Sequence, residues 1–457
     1  MKHVLIIYTG GTIGMTRTDN GYAPRSGYFR AALDAISDLH SSEMPAWDFM
    51  ELSPLLDSSN MTVYEWNRIA ELIAQQYDSY DGFVVLHGTD TMAYTASALS
   101  FMLGGLDKPV VLTGSQIPLC EIRSDGRDNL ITALLIAGEG VVREVSLYFG
   151  GKLLRGNRAT KYSADGLIAF VSPNYPILAE AGISIRYNES ALLPGQKGGL
   201  KLQTLDPVPI GVIKVFPGIQ FSLFESIMTE KLRGIVIETF GAGNIPGDGD
   251  ALLPIIRKAF QNGTVLTVCS QCPQGAVSLG AYETSSALKK AGAVSGLDMT
   301  TEAAVAKLYY LFSLNLGKEE IKRAMEQDFM ATIGARVSKK IKVTLVYQDM
   351  DDLPEGYTLP EGRVILHLEA DRTACQAVGH HARSARGKGR HQGSLWRNQR
   401  GRFLWQGSPV AGTHARGKNH QCHCVYPPQV WNVYGNPPHP RIGDGRDASS
   451  GSAYLRR

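Results

Sequence analysis

The stretch from Val4 to Tyr22, VLIIYTGGTIGMTRTDNGY, decides how the rest of the chain is read. Five apolar or aromatic residues run directly into Thr9, Gly10, Gly11, Thr12, Ile13 and Gly14. Such a run fits a strand buried on both faces, and the hydroxyls and glycines fit its carboxyl end. Two kinds of site suit that end. The glycines can cradle a phosphate, or they can bring backbone N–H groups and a threonine hydroxyl up against a small substrate.

The same pattern recurs downstream in GFVVLHGTDT (82–91), PVVLTGSQ (109–116) and VSLYFGGK (145–152). Near-continuous apolar runs of this kind predict a parallel sheet. Helical stretches alternate with them. In residues 62–77, TVYEWNRIAELIAQQY, Thr62 and Glu65 form a capping box, and Trp66, Ile69, Ile73 and Tyr77 share one stripe. Residues 92–103, MAYTASALSFML, are apolar nearly all round, as in a helix packed on a sheet. The alternation predicts an α/β fold: a larger N-terminal sheet domain over 1–190, a linker over 191–210 where periodicity is lost, and a smaller parallel α/β domain over 211–330. That second domain is read from IGVIKVFPG, the helix FSLFESIMTEKL, GIVIETFGAGN, the helix LLPIIRKAFQN, TVLTVCSQC and two closing helices. Residues 331–370 are expected to add a hairpin, and 371–457 a basic tail of low order.

Composition separates that tail from the body. Residues 371–457 hold twelve Arg and two Lys against three Asp and no Glu, a charge of +11 within a chain of +3, so residues 1–370 carry −8. An acidic body gives no electrostatic reason to bind nucleic acid. The tail also holds seven of the eleven His and three of the five Trp, with a single Ile, a composition that fits a segment never selected to fold. Its Arg, Gly and Trp content also fits weak nucleic-acid binding. Six cysteines in a chain of 457 do not make a disulfide framework. The first residues lack a signal-peptide pattern, and no run reaches the roughly 20 apolar residues of a membrane helix. A cytoplasmic protein is expected.

Functional groups gather at the carboxyl ends of parallel strands. Three such ends are rich in hydroxyls: Thr9 with Thr12, Thr89 with Thr91, and Thr113 with Ser115, with one carboxylate, Asp90, among them. Caps and turns explain any one of these, but three together favour a site. Residues 9–14, TGGTIG, lack the lysine of a phosphate loop and the spacing of a dinucleotide fingerprint. Acyl transfer fits better, with a threonine attacking a carbonyl and N–H groups holding the oxyanion. Such a threonine needs a base. His87 lies on the strand itself and is expected in the core, whereas a lysine beside Asp and Thr could serve.

TGGTIG together with HGTDTM (87–92), LTGSQIP (112–118) and SDGRDNL (124–130) resembles the bacterial-type L-asparaginase family, most closely its cytoplasmic type I branch, over residues 3 to 330. The resemblance implies hydrolysis of the side-chain amide of asparagine to aspartate and ammonia, with no cofactor and no metal. It assigns Thr12 as first nucleophile and Tyr22 to a mobile lid, with Gly14 and Gly21 flanking the lid as hinges. Thr89, Asp90 and Lys161 form a second Thr–Lys–Asp group, with Asp90 also meeting the substrate ammonium. Ser58 and Ser59 hold its α-carboxylate, and Ser115 lines the amide end. Asn244 matches a residue lent by a neighbouring subunit, which implies a homodimer or homotetramer. Which threonine forms the covalent bond stays open, with Thr12 ranked first.

Cys269 and Cys272 have the spacing of a metal or redox pair but lack a second pair nearby. The type I branch places an effector site near this strand end. Glu238 stands where regulated relatives tend to carry a basic side chain, so control by asparagine is not expected. His420, Cys422, His423 and Cys424 are spaced too tightly for a standard zinc module. Two rival readings remain. The asparaginase-like subunit of a tRNA-dependent amidotransferase normally carries an extra domain ahead of TGGT, and a non-catalytic amino-acid-binding or nucleotide-binding protein would release no ammonia.

Overall fold

The computed structural model describes residues 2–328, apart from 196–197, 226–230, 247–251 and 282, and five short strands beyond them. The chain forms two units, Met1–Gly334 and Ala335–Arg457. In the second unit the strands Ile341–Leu345, Val364–Leu368, Ser394–Arg397, Phe403–Gly407 and Gln421–Cys424 form one sheet, in which the first two pair antiparallel. The rest of the tail, and the side chains of its histidines and cysteines, lie outside the described residues.

The first unit is built on an eight-stranded sheet. From one edge the order is Ile185–Tyr187, Ala179–Ala181, Lys152–Arg155, Val145–Phe149, Val110–Thr113, Gly82–Leu86, His3–Gly10 and Ala46–Leu56. The last five are parallel. The first three pair antiparallel, so the sheet is mixed rather than wholly parallel. They are three or four residues long, too short to show a period in the sequence.

The four runs singled out in the sequence are strands. Alternate residues feed two cores. Leu5, Ile7, Phe83, Val85 and Leu112 pack beneath the helices Val63–Gln76 and Met92–Met102. Val4, Ile6, Val84, Leu86 and Val111 pack beneath Tyr28–Asp34 and Gly126–Glu139. The capping box is present: Thr62 accepts from the Tyr64 N–H, and the Thr62 N–H donates to Glu65.

A second, four-stranded sheet is parallel throughout, in the order Ile210–Lys214, Gly234–Thr239, Val265–Ser270, Val294–Ser295. Helices Leu252–Gln261 and Glu283–Lys290 lie on one face, and Thr301–Phe312 and Lys318–Met325 on the other. The expected helix over 221–232 is a single 3-10 turn, Phe221–Phe224, in its described part.

Thr301–Phe312 also packs on Met92–Met102, which is why that helix is buried all round. Trp66 meets Tyr309 edge-on at 5.8 Å, and Phe101 stacks on Tyr310 at 5.6 Å. A fully buried ion pair, Arg158 Nη2 to Asp298 Oδ2 at 2.8 Å, locks the same junction.

Candidate active site

In chain order, the five parallel strands run 2-1-3-4-5 across the sheet. The order reverses between His3–Gly10 and Gly82–Leu86, and a crevice opens where strand order reverses. Thr12 and Thr89 follow these two strands.

Glycine lets the loops meet there. A Cβ on Gly11, whose φ is +83°, would lie 2.3 Å from the Gly88 backbone nitrogen. One on Gly10, at φ +118°, would lie 2.2 Å from the Leu56 carbonyl oxygen. One on Gly88 would meet Ser58 Oγ at 2.5 Å. The ends of three strands are therefore in direct backbone contact, and Thr12, Thr89 and Ser58 sit on adjoining turns.

The hydroxyls sort into two groups. Thr9 donates to Leu86 O (3.0 Å), Thr113 to Tyr148 O (2.8 Å) and Thr91 to Ser58 O (2.8 Å). These three tie strand ends together, the bland reading of their type. Thr89 differs. Lys161 Nζ donates to Thr89 Oγ1 at 2.9 Å and to Asp90 Oδ1 at 2.7 Å, while the Thr89 hydroxyl donates to Gln116 Oε1 at 3.0 Å. Asp90 is exposed and Lys161 mostly covered, so the carboxylate is the member of the pair that faces solvent.

Lys161 is held by its neighbours. It lies in the two-residue strand Thr160–Lys161, paired with Phe170–Val171. Thr160 Oγ1 donates to Glu302 Oε1 at 2.7 Å, fixing the strand to the second sheet's helix. Burial raises the Glu302 carboxyl.

Tyr22 is on a hairpin, Met15–Thr18 with Gly21–Pro24, that lies beside the turn Thr12–Gly14. Its hydroxyl donates to Glu121 Oε1 at 2.6 Å, a bond that raises the phenol. Two more contacts hold the same loop against the hairpin base: Leu119 N–H to Ile13 O (3.0 Å) and Cys120 Sγ to Met15 O (3.5 Å). Ser59 donates through N–H and Oγ to Asp57 Oδ1, both at 3.0 Å. Ser115 is buried and donates to Ile117 O at 2.6 Å. Asn244 lies apart in sequence and sheet, after Gly234–Thr239, where its N–H donates to Phe240 O at 2.8 Å.

His87 is in the core, as expected. Trp66 Nε1 donates to Thr95 Oγ1 (3.0 Å), the Thr95 hydroxyl donates to His87 Nε2 (2.9 Å), and His87 Nδ1–H donates to Gly88 O (2.8 Å). Burial pushes its pKa down to about 4. Cys269 is buried and Cys272 exposed, both as free thiols. Among the described residues no group of three or more His, Cys, Asp or Glu could hold a metal, and no helix is long and apolar enough to cross a membrane.

Two family profiles cover most of this frame: the N-terminal asparaginase profile matches residues 3–193, and the glutaminase/asparaginase C-terminal domain matches 209–325. The chain belongs to the asparaginase family. It is 47% identical over 327 residues to L-asparaginase 1 of Escherichia coli K12, covering 72% of this chain and 96% of that one. A glutamyl-tRNA(Gln) amidotransferase polypeptide of Thermococcus kodakarensis is more distant, at 33% over 347 residues, with 73% and 77% covered. Among solved structures, L-asparaginase I of Vibrio cholerae superposes with a TM-score of 0.68 at 46% identity, covering 73% of this chain and 99% of that one.

One asparaginase segment gains a physical reason from the geometry. In SDGRDNL, the Asp125 carboxylate accepts the N–H groups of Gln116 and Ile117 at 3.0–3.1 Å. Asn129 donates to Gly114 O at 3.0 Å and accepts from Gly150 N–H at 3.2 Å. The motif clamps the loop that carries Ser115. Gln116 and Glu121, which touch Thr89 and Tyr22, were missed in the sequence. The signal for Gln116 was its place directly after Ser115 in LTGSQIP; Glu121 left none, because its partner is 99 residues away.

Proposed function

We propose that this asparaginase-family protein hydrolyses the side-chain amide of L-asparagine to L-aspartate and ammonia, with Thr12 as nucleophile. The observation that carries the reading is the backbone contact of Gly11 with Gly88, which sets Thr12 beside a Thr89 bonded to Lys161 and that lysine to Asp90. In the first half-reaction the Thr12 oxygen adds to the amide carbon. The tetrahedral oxyanion is held by backbone N–H groups, and the C–N bond breaks as the nitrogen leaves with a proton as ammonia. Water then adds to the threonyl ester, the C–O bond breaks, and aspartate leaves with Thr12 restored. Thr89 and Lys161 pass the Thr12 hydroxyl proton to the departing nitrogen in the first half-reaction, and a proton of the attacking water back to the Thr12 oxygen in the second.

Asp90 takes the substrate ammonium, and Ser58 and Ser59 take the α-carboxylate. Ser115 lines the amide end, and Tyr22 closes over Thr12. Asn244 serves the site of a neighbouring subunit in a homodimer or homotetramer. Residues 1–190 carry most of the site and 211–330 form the second domain, joined by a linker over 191–210. A cytoplasmic location belongs to the same reading. An effector carboxylate is disfavoured near Cys272, because Glu238 stands close to Cys269 on the neighbouring strand.

The test is ammonia release from asparagine and from glutamine by wild type, Thr12→Ala and Thr89→Val. Both variants are expected to keep their circular dichroism and to lose at least about a hundredfold in kcat, the scale of an activated nucleophile's contribution. Wild-type turnover in either removes that threonine from the chemistry. Absence of ammonia release by the wild type removes the activity itself.

A further inference from the structure

Gln116 touches Thr89, yet no role has been assigned to it. Its side-chain amide is fixed at both ends. Nε2 lies 3.2 Å from the carbonyl oxygens of Ala164 and Gly166. Carbonyl oxygens only accept, so the amide nitrogen must face them and Oε1 must face Thr89. Turning the amide over would set an oxygen against two oxygens. The backbone cannot yield either, because the Gln116 N–H is held by both Asp125 carboxylate oxygens at 3.1 Å.

The orientation dictates where the Thr89 proton goes. Oε1 has no proton to give, so the Thr89 hydroxyl donates to it across 3.0 Å. Lys161 Nζ donates into one lone pair of the same Oγ1. One lone pair is left for the crevice. A hydroxyl without such an acceptor rotates among three staggered wells and can donate to Asp90 or to water instead.

We infer that Gln116 is a positioning residue for Thr89, holding its hydroxyl proton away from the crevice so that an oxygen lone pair faces Lys161 and the substrate. The inference rests on the asparaginase reading above, in which Thr89 and Lys161 act as a pair. The same side chain couples two loops: Gln116 follows the strand Val110–Thr113, and Ala164 and Gly166 follow Lys161, so the acceptor stays in register with the lysine.

The test compares Gln116→Met with Gln116→Glu in the full-length protein. Met keeps the length and removes both the acceptor and the tether. Glu removes the tether to Ala164 and Gly166 but keeps an oxygen facing Thr89. Gln116→Met is expected to lower kcat about tenfold or more, with KM for asparagine within about twofold and the thermal midpoint nearly unchanged. Gln116→Glu is expected to recover at least about threefold of that loss. Wild-type kcat in Gln116→Met overturns the inference. So does equal loss in both variants, which would put the effect in the tether alone. The parent reading fails separately: it falls if Thr89→Val turns over at the wild-type rate, whatever the Gln116 variants do.

Discussion

His87 illustrates at the residue scale how neighbours decide what a side chain can do. It stands two places before Thr89, where a histidine base would be looked for, yet its ring is fully buried and both nitrogens are committed. Nε2 accepts from Thr95, so the neutral ring fits and the imidazolium does not. With its pKa pushed from the ordinary 6.5 down to about 4, the folded chain lacks a proton there that the unfolded chain holds between those values. Stability from this group is full above about pH 6.5 and is lost as pH falls to about 4, a span of about 3 kcal/mol at most. Urea midpoints measured from pH 7 to pH 4 should fall for the wild type and fall less steeply for His87→Asn, whatever the variant's absolute stability. An unchanged slope would show that His87 carries none of the acid sensitivity. The core position of His87 was legible in the sequence because it continues an apolar run. The division of labour among the threonines was not. Thr9, Thr91 and Thr113 are the same residue type at the same kind of strand end as Thr12 and Thr89, and only the carbonyl oxygens facing them make them ties.

At the scale of elements the decisive contact is between two glycines. No other residue lets the turns after His3–Gly10 and Gly82–Leu86 approach so closely, because any Cβ on Gly11 runs into backbone that cannot swing aside. Gly11→Ala, with φ at +83° as well, is expected to cost about 2 kcal/mol or more and to cut turnover, since Thr12 and Thr89 must separate. Thermal melts and the ammonia assay together check this, and a variant with both values at wild type would show that the loops have slack. The parallel strands were readable because burial on both faces leaves an unbroken apolar run. Ala46–Leu56 was not, although it is the longest strand of the sheet at 11 residues. It is an edge strand with no fully buried residue, so it lacks that mark. Resemblance supplied Ser58 and Ser59 without the strand that delivers them.

At the scale of the molecule, the crevice depends on a junction far along the chain. Arg158, three places before Lys161, is fully buried and paired with Asp298. Removing one member of such a pair leaves a buried charge without its counter-ion, at a typical cost of about 3–5 kcal/mol, whereas replacing both with apolar residues can be nearly neutral. Asp298→Ala should therefore unfold at much lower urea than the wild type, and Arg158→Met/Asp298→Leu should recover most of the difference. A double variant as weak as the single one would show that the junction needs the pair itself. Apolar periodicity in the sequence announced two α/β sheets, but it could not announce this pairing, since nothing local links positions 140 apart.

That separation has a consequence during synthesis. Thr12, Thr89, Asp90 and Lys161 have all emerged long before Asp298, and 140 residues take on the order of ten seconds to translate. For that interval the nascent chain holds every reactive group while Arg158 has no counter-ion to enter the core with. Competence therefore waits for the distal segment to arrive.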